Sequence, residues 1–91
     1  MFNPPHPGEV LREFLPDRMT IEEVARRLGV SRVQLSRVLN GRSSISADMA
    51  IRIGLLTNTT PESWLAGQTK RDLWLASQQP RPAVEPFGRA A

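Results

Sequence analysis

Apolar residues recur along this chain mainly at spacings of three and four, which is the period of a helix that buries one face. Five segments carry such a repeat, and short stretches rich in glycine, proline, serine and threonine separate them. Three of the segments flank a central pair that is joined by a very short connection. The pattern therefore predicts an all-α domain with five helices.

The central pair lies in the segment TIEEVARRLGVSRVQLSRVLN, which covers residues 20–40. Thr20 and Glu23 have the spacing of a capping box, in which a hydroxyl and a carboxylate each satisfy a free backbone N–H group at a helix start. Ser31 and Gln34 repeat this spacing, so a second helix is predicted after only two connecting residues. Two helices joined so closely must cross steeply, which makes the segment a helix-turn-helix candidate.

Small residues mark the corner between these two helices. Gly29 follows the last apolar residue of the first helix, where a residue without a Cβ turns left-handed at little cost. Ala25 is small where the second helix must approach the first. The second helix has an inward face of Leu35, Val38 and Leu39 and an outward face of Arg32, Val33, Ser36 and Arg37. We expect the function to reside on the outward face.

The flanking helices are predicted over residues 7–15, 47–56 and 61–78, each with a proline, serine or threonine start signal. Arg12 is expected on the solvent face of the first of them. Apolar residues of the fourth helix cover more than one stripe, so we expect that helix to be buried on two sides.

The fifth helix carries both tryptophans, Trp64 and Trp74, and either could simply fill the core. Leu73, Trp74 and Leu75 are consecutive, so they cannot all face the same core. We therefore predict a dimer interface formed by Trp64, Leu73, Trp74 and Leu75. In a symmetric dimer, the outward faces of the two copies of the second helix would be related by a two-fold axis.

Size and composition favour one small domain. The chain has 91 residues, of which 40% are hydrophobic, and residues 79–91 contain three prolines without periodicity. We predict one helix-turn-helix domain over residues 1–78, including the dimerisation helix, and a disordered tail over 79–91. Cysteine is absent, and no apolar run approaches the roughly 20 residues that span a bilayer. We expect a cytoplasmic protein without a metal or cofactor.

Positive charge is concentrated on the central pair. The formal net charge of the chain is +3, and residues 20–42 hold five arginines against two glutamates. Such a cluster is the electrostatic footprint expected of a surface that meets phosphates.

An enzyme is disfavoured by the residue types present. The chain has one histidine, no cysteine and no tyrosine, and it lacks a glycine-rich phosphate loop. His6 stands among prolines and is interpreted as a cap or turn residue. We predict no catalytic residue and no small-molecule substrate.

Three motifs give the chain a family resemblance. They are HPGEVLREFL, VARRLGVSRVQLSRVLNGRSSISADMAIRIG and TPESWLAGQTKRDLWLA, and together they resemble the HigA/VapI-type antitoxins of the phage-repressor-like helix-turn-helix family. Asn58 and Thr59 depart from the pattern, since those proteins usually have glycine or another small residue there. The resemblance implies a five-helix protein that dimerises on operator DNA, represses its own operon and neutralises a RelE-like, or HigB-like, mRNA-cleaving toxin.

The resemblance also implies roles for the second helix of the pair, which would enter the major groove by its N-terminal residues. The predicted DNA-binding residues are Ser31, Arg32, Val33, Gln34, Ser36, Arg37, Asn40 and Arg42. Arg32, Val33 and Arg37 would face base edges, with Gln34 and Ser36 at the margin of reach. The remaining three would hold phosphates.

Several alternatives remain open at this point. For any single arginine a solvated helix face is the commoner role, and we favour that interpretation for Arg26, Arg27 and Arg52. A free-standing transcriptional repressor without a toxin partner would share this sequence pattern, as would an interaction module that no longer binds DNA.

Overall fold

The computed structural model of the chain describes residues 3–88 and contains five helices. They are α1 Pro7–Phe14, α2 Ile21–Leu28, α3 Arg32–Leu39, α4 Ala47–Thr57 and α5 Pro61–Ser77. Each begins at the predicted residue, and α1, α4 and α5 end within one residue of the predicted end. Between residues 3 and 88 there is no strand, so the predicted all-α fold with five helices is confirmed.

The helices start where they do because a side chain caps each one. Thr20, Ser31, Ser46 and Thr60 each accept a hydrogen bond from a backbone amide three residues on. His6 acts in the same way for α1, since its Nδ1 accepts from the Gly8 amide at 2.9 Å. A cap of this kind stabilises a helix by about 1 kcal/mol. The capping box at Thr20 is only half formed, because the Glu23 carboxylate binds Arg26 and Arg27 instead.

All five helices contribute to one hydrophobic core. Leu11, Val24, Leu35, Val38 and Ile53 are its largest fully buried side chains. The core holds the inward faces of α2 and α3 that the sequence predicted. It therefore fixes which side of α3 is left to solvent.

Trp64 belongs to this core, so its side chain is covered in the single chain and is not exposed for the dimer interface that the sequence analysis predicted. The side chain is buried, its ring centroid lies 5.7 Å from that of Phe14, and its Nε1 donates to Thr59 Oγ1 at 2.7 Å. Thr59 thus has a structural use at the position where it departs from the family pattern. Asn58, the other departure, adopts the left-handed conformation that ends α4, with φ at 59°, and asparagine tolerates that conformation better than most residues.

The expectation that α4 is buried on two sides is wrong for the single chain. Met49, Ala50, Ile53 and Gly54 form its one buried face. Ile51 and Leu55, which make the second apolar stripe, are 49% and 80% exposed. The domain is too small to cover both sides of this helix.

The C-terminal part of the chain extends away from the core. Trp64 is the buried residue of α5, and the longest axis of the molecule is 56 Å against 24 and 23 Å for the other two. Residues 79–88 form no helix or strand and are exposed, and Arg81 bonds the Ala76 carbonyl. The last three residues of the predicted tail lie outside the described range.

Candidate nucleic-acid interface

The outward face of α3 has the arrangement that the sequence predicted. Arg32, Val33, Gln34 and Arg37 are exposed, and Ser36 is half-buried. Arg32, Val33, Ser36 and Arg37 together line a shallow depression. We call these five residues, together with Ser31, Asn40 and Arg42 at the two ends of the helix, the reading surface.

Arg32 and Arg37 point away from the body of the protein. Arg32 Nε lies 3.1 Å from Glu22 Oε1 of α2, and the two side chains are 70% and 63% exposed. A pair so open to water contributes little to stability, so Arg32 can leave it for another anion at small cost. Within residues 3–88, no carboxylate lies within salt-bridge distance of Arg37 or Arg42.

Glu22 is a part of this region that the sequence analysis missed. It lies in the first turn of α2, where the helix dipole favours a carboxylate whether or not that carboxylate contacts α3. The pairing with Arg32 became visible only once the crossing of α2 and α3 was known.

Replacing Glu22 with glutamine is expected to raise the affinity for duplex DNA up to about fivefold. The change removes a negative charge beside the reading surface and releases Arg32 from its ion pair. Fluorescence anisotropy with a labelled duplex would measure the change. Glu62→Gln, the same change in the first turn of α5, is the control and should leave the affinity unaltered. An unchanged or weaker affinity for Glu22→Gln would contradict the prediction.

Arg26 and Arg27 lie on a solvated helix face, as the sequence analysis favoured, whereas Arg52 binds the protein's own backbone. Arg26 and Arg27 bind Glu23 at 2.6 and 2.9 Å, and their hydrogen bonds, that from Arg26 first, lower the pKa of the Glu23 carboxyl to about 2. Arg52 of α4 donates from Nη1 to the carbonyls of Leu28 and Gly29 at 2.8 and 3.1 Å. It therefore caps the C-terminal end of α2, where a cation is favoured by the helix dipole.

Ser31 and Arg42, which the sequence analysis assigned to phosphates, lie at opposite ends of α3. Ser31 Oγ accepts from the Gln34 amide at 3.0 Å, which leaves the hydroxyl hydrogen free to donate outward. Arg42 follows Gly41, whose φ of 71° turns the chain left-handed after α3. The backbone amide of Arg42 donates to the Arg37 carbonyl at 2.8 Å, so the start of the α3–α4 loop is held against the end of α3.

Asn40 is less free than its assignment as a phosphate ligand implies. Its Oδ1 accepts from Arg12 Nη2 at 2.8 Å, and its Nδ2 donates to Ser36 Oγ at 3.3 Å. Arg12 Nε also donates to the Leu39 carbonyl at 3.1 Å. The structure thus joins two predicted DNA-binding residues and adds a third residue, Arg12, that was expected only to face solvent.

Neither a metal site nor a membrane span is found in the described part of the chain. No group of three His, Cys, Asp or Glu side chains there is arranged to hold an ion. None of the helices in that range combines the length and the apolar character that crossing a bilayer requires.

Comparison with known proteins agrees with this geometry. Residues 11–65 match the family model described as helix-turn-helix. Virulence-associated protein A' of Dichelobacter nodosus is 43% identical over 81 residues, which are 87% of this chain and 70% of that protein.

Two solved structures are similar over most of their length. The Pseudomonas aeruginosa antitoxin HigA with higBA promoter is 38% identical with a TM-score of 0.76, and the match covers 82% of this chain and 84% of that one. The antitoxin GraA in complex with its operator is 44% identical with a TM-score of 0.76, covering 86% and 81% of the two chains. The five helices, the helix-turn-helix match and these relatives show that the chain belongs to the helix-turn-helix family, in its branch of HigA-type antitoxins.

Proposed function

We propose that this chain is an antitoxin that binds operator DNA and represses its own operon by inserting α3 into the major groove. The observation that carries this proposal is the exposed pair Arg32 and Arg37, on a helix whose opposite face is fixed in the core. A rigid helix that presents two guanidinium groups fits the major groove of duplex DNA. The solved relatives that hold an operator or a promoter share this fold.

Within the reading surface, Arg32 and Arg37 suit guanine, because a guanidinium can donate to O6 and N7 together. Each such contact discriminates between bases by about 1 to 3 kcal/mol. Val33, exposed between the arginines, suits a thymine methyl group, and Gln34 and Ser36 lie at the edge of reach. Ser31, Asn40 and Arg42 are assigned to phosphates, which fix the register of the protein on the duplex.

We further propose that the chain acts as a dimer through α5. Leu73, Trp74 and Leu75 lie beyond the core, and Leu73 and Leu75 are 65% and 40% exposed. Leu73 and Leu75 are two residues apart, about 200° around the helix, so a partner helix that packs on one side of α5 cannot cover both equally. Leu73, as the more exposed, is the better candidate for the centre of the contact. A helix that extends from a small core gains most of its stability from packing against another element.

Changing Leu73 to glutamate is expected to weaken dimerisation about tenfold, since a charge would be buried in the contact. Sedimentation equilibrium across micromolar concentrations would report the change. Leu55→Glu places the same charge on the exposed stripe of α4 and serves as the control. A dimer that tolerates Leu73→Glu but dissociates with Leu55→Glu would place the interface on α4 instead.

The proposed toxin partner is a RelE-like, or HigB-like, protein that cleaves mRNA. For the chain itself we propose no enzymatic activity, cofactor or metal. Both partners of such a pair act in the cytoplasm. The supporting observation is the similarity to HigA-type antitoxins. When the neighbouring gene product is co-expressed with this chain, the two proteins should copurify. Co-expression should also relieve the growth arrest that the neighbouring gene product causes.

The same experiment separates the antitoxin from a free-standing repressor. Operator binding without capture of the neighbouring product would indicate a repressor that has no toxin partner. Capture without any binding to the promoter fragment at low salt would indicate an interaction module.

A further inference from the structure

Arg12 connects α1 to the reading surface through a directional chain of hydrogen bonds. Arg12 Nη2 donates to Asn40 Oδ1 at 2.8 Å, and Asn40 Nδ2 donates to Ser36 Oγ at 3.3 Å. Arg12 Nε donates to the Leu39 carbonyl at 3.1 Å, so the guanidinium holds both the last carbonyl of α3 and the residue that follows it.

The direction of this chain is fixed by the chemistry of Arg12. A guanidinium has donors and no acceptor, so the Asn40 amide must turn its oxygen toward Arg12 and its NH2 group toward Ser36. Ser36 Oγ is then an acceptor for Asn40, which leaves the hydroxyl hydrogen of Ser36 free to donate. Without Arg12, the Asn40 amide could flip, and its oxygen could face a phosphate that it would repel.

The backbone around Arg12 leaves little room for the bond to shift. Gly8, one turn before Arg12 on α1, approaches the end of α3 so closely that a Cβ there would lie 1.9 Å from the Val38 carbonyl oxygen. The imidazole of His6 lies beside Gly41, with ring atoms 3.7 and 3.8 Å from the position of a Cβ at that glycine. The start of α1 therefore contacts α3 and the loop after it on two sides of the Arg12 bonds.

We propose that Arg12 is a positioning residue for DNA recognition, which sets Asn40 and Ser36 as hydrogen-bond donors toward the duplex. This inference rests on the proposed DNA-binding function of α3. The free hydroxyl hydrogen of Ser36 then suits an acceptor on a base edge, such as guanine O6 or N7 or thymine O4. The HPGEVLR part of the first motif thereby acquires a role in DNA recognition.

Arg52 provides a matched control for Arg12. Each arginine caps the C-terminal end of one helix of the helix-turn-helix from a neighbouring helix. Arg52 of α4 caps α2, and Arg12 of α1 caps α3. Of the two, Arg12 bonds a side chain of the reading surface. Loss of a cap alone should therefore affect the two alanine variants alike, whereas loss of positioning should affect only Arg12→Ala.

The test measures the ratio of affinities for the promoter duplex and a random duplex, at a temperature where circular dichroism shows each variant folded. Arg12→Ala is expected to lower this ratio five- to tenfold. Arg52→Ala should lower the melting temperature and leave the ratio within about twofold of wild type. Arg12→Lys keeps the charge and a donor but lacks the fork, so its salt dependence should match wild type and its ratio should lie between those of wild type and Arg12→Ala.

A double-mutant cycle with Asn40→Ala then tests whether Arg12 acts through Asn40. The ratio for the double variant should lie within about twofold of that for Asn40→Ala alone. Fully additive losses, or an Arg52→Ala variant that lowers the ratio as much as Arg12→Ala does, would overturn the proposal. Wild-type protein that binds both duplexes equally would instead overturn the proposed operator recognition, so the two failures are distinguishable.

Discussion

Gly8→Ala is expected to destabilise the domain by about 3 kcal/mol or more, a large part of the stability of a small protein. The added methyl group would lie 1.9 Å from the Val38 carbonyl oxygen and 2.8 Å from its carbonyl carbon. Because these are backbone atoms, relief of the clash requires α1 to move away from α3. Urea denaturation followed by circular dichroism would measure the loss.

Gly67→Ala provides the control for helix propensity. Gly67 also lies in a helix, but no atom lies within 4 Å of a Cβ at that position apart from its own helix neighbourhood. Alanine there should stabilise the protein by about 0.5 to 1 kcal/mol. If Gly8→Ala is as stable as wild type, α1 does not pack against the end of α3 as closely as described.

Arg37→Ala is expected to lower operator affinity about 10- to 100-fold and to relax the preference at one base pair. Arg37 lies on the exposed side of α3, and the described residues supply no acid to engage it. A guanidinium that is free in the absence of DNA and forked onto a guanine in its presence contributes about 1 to 3 kcal/mol of discrimination. Binding to a set of operators with single base-pair changes would identify the relaxed position.

Arg42→Ala is the matched control for a lost positive charge. Arg42 lies after α3, where we assign it to a phosphate, so its removal should weaken binding to all sequences alike. The slope of log affinity against log salt should become shallower by about one. Should Arg37→Ala bind every single-site operator with the preferences of wild type, Arg37 would be removed from the base-contacting set.

The local parts of this fold could be predicted from the sequence because their causes are local. Thr20 and Ser31 bond amides three residues away, and Gly29 adopts the left-handed conformation that ends α2, with φ at 73°. The inward and outward faces of α3 follow in turn from helix period and apolar spacing. The orientation of Arg32 and Arg37 therefore needed no knowledge of the rest of the fold.

Features that depend on tertiary structure were predicted less well. Trp64 and Trp74 are both aromatic residues of α5, and only the burial of Trp64 in the folded chain shows that it fills the core. Residues 12 and 40 are 28 positions apart, so helix period cannot reveal that they bond. The burial of the second apolar stripe of α4 was predicted wrongly. The apolar content of a helix indicates how much of its surface could be buried, whereas the number of neighbouring helices decides how much is buried.

The most direct measurement of the central claim is a dimethyl sulfate interference assay on the promoter fragment. The reagent methylates guanine N7, which faces the major groove, and adenine N3, which faces the minor groove. If α3 reads the major groove, methylated guanines should block binding at two clusters about one helical turn apart, and methylated adenines should have no effect. Interference confined to adenine N3, or absent from guanine N7, would contradict the account.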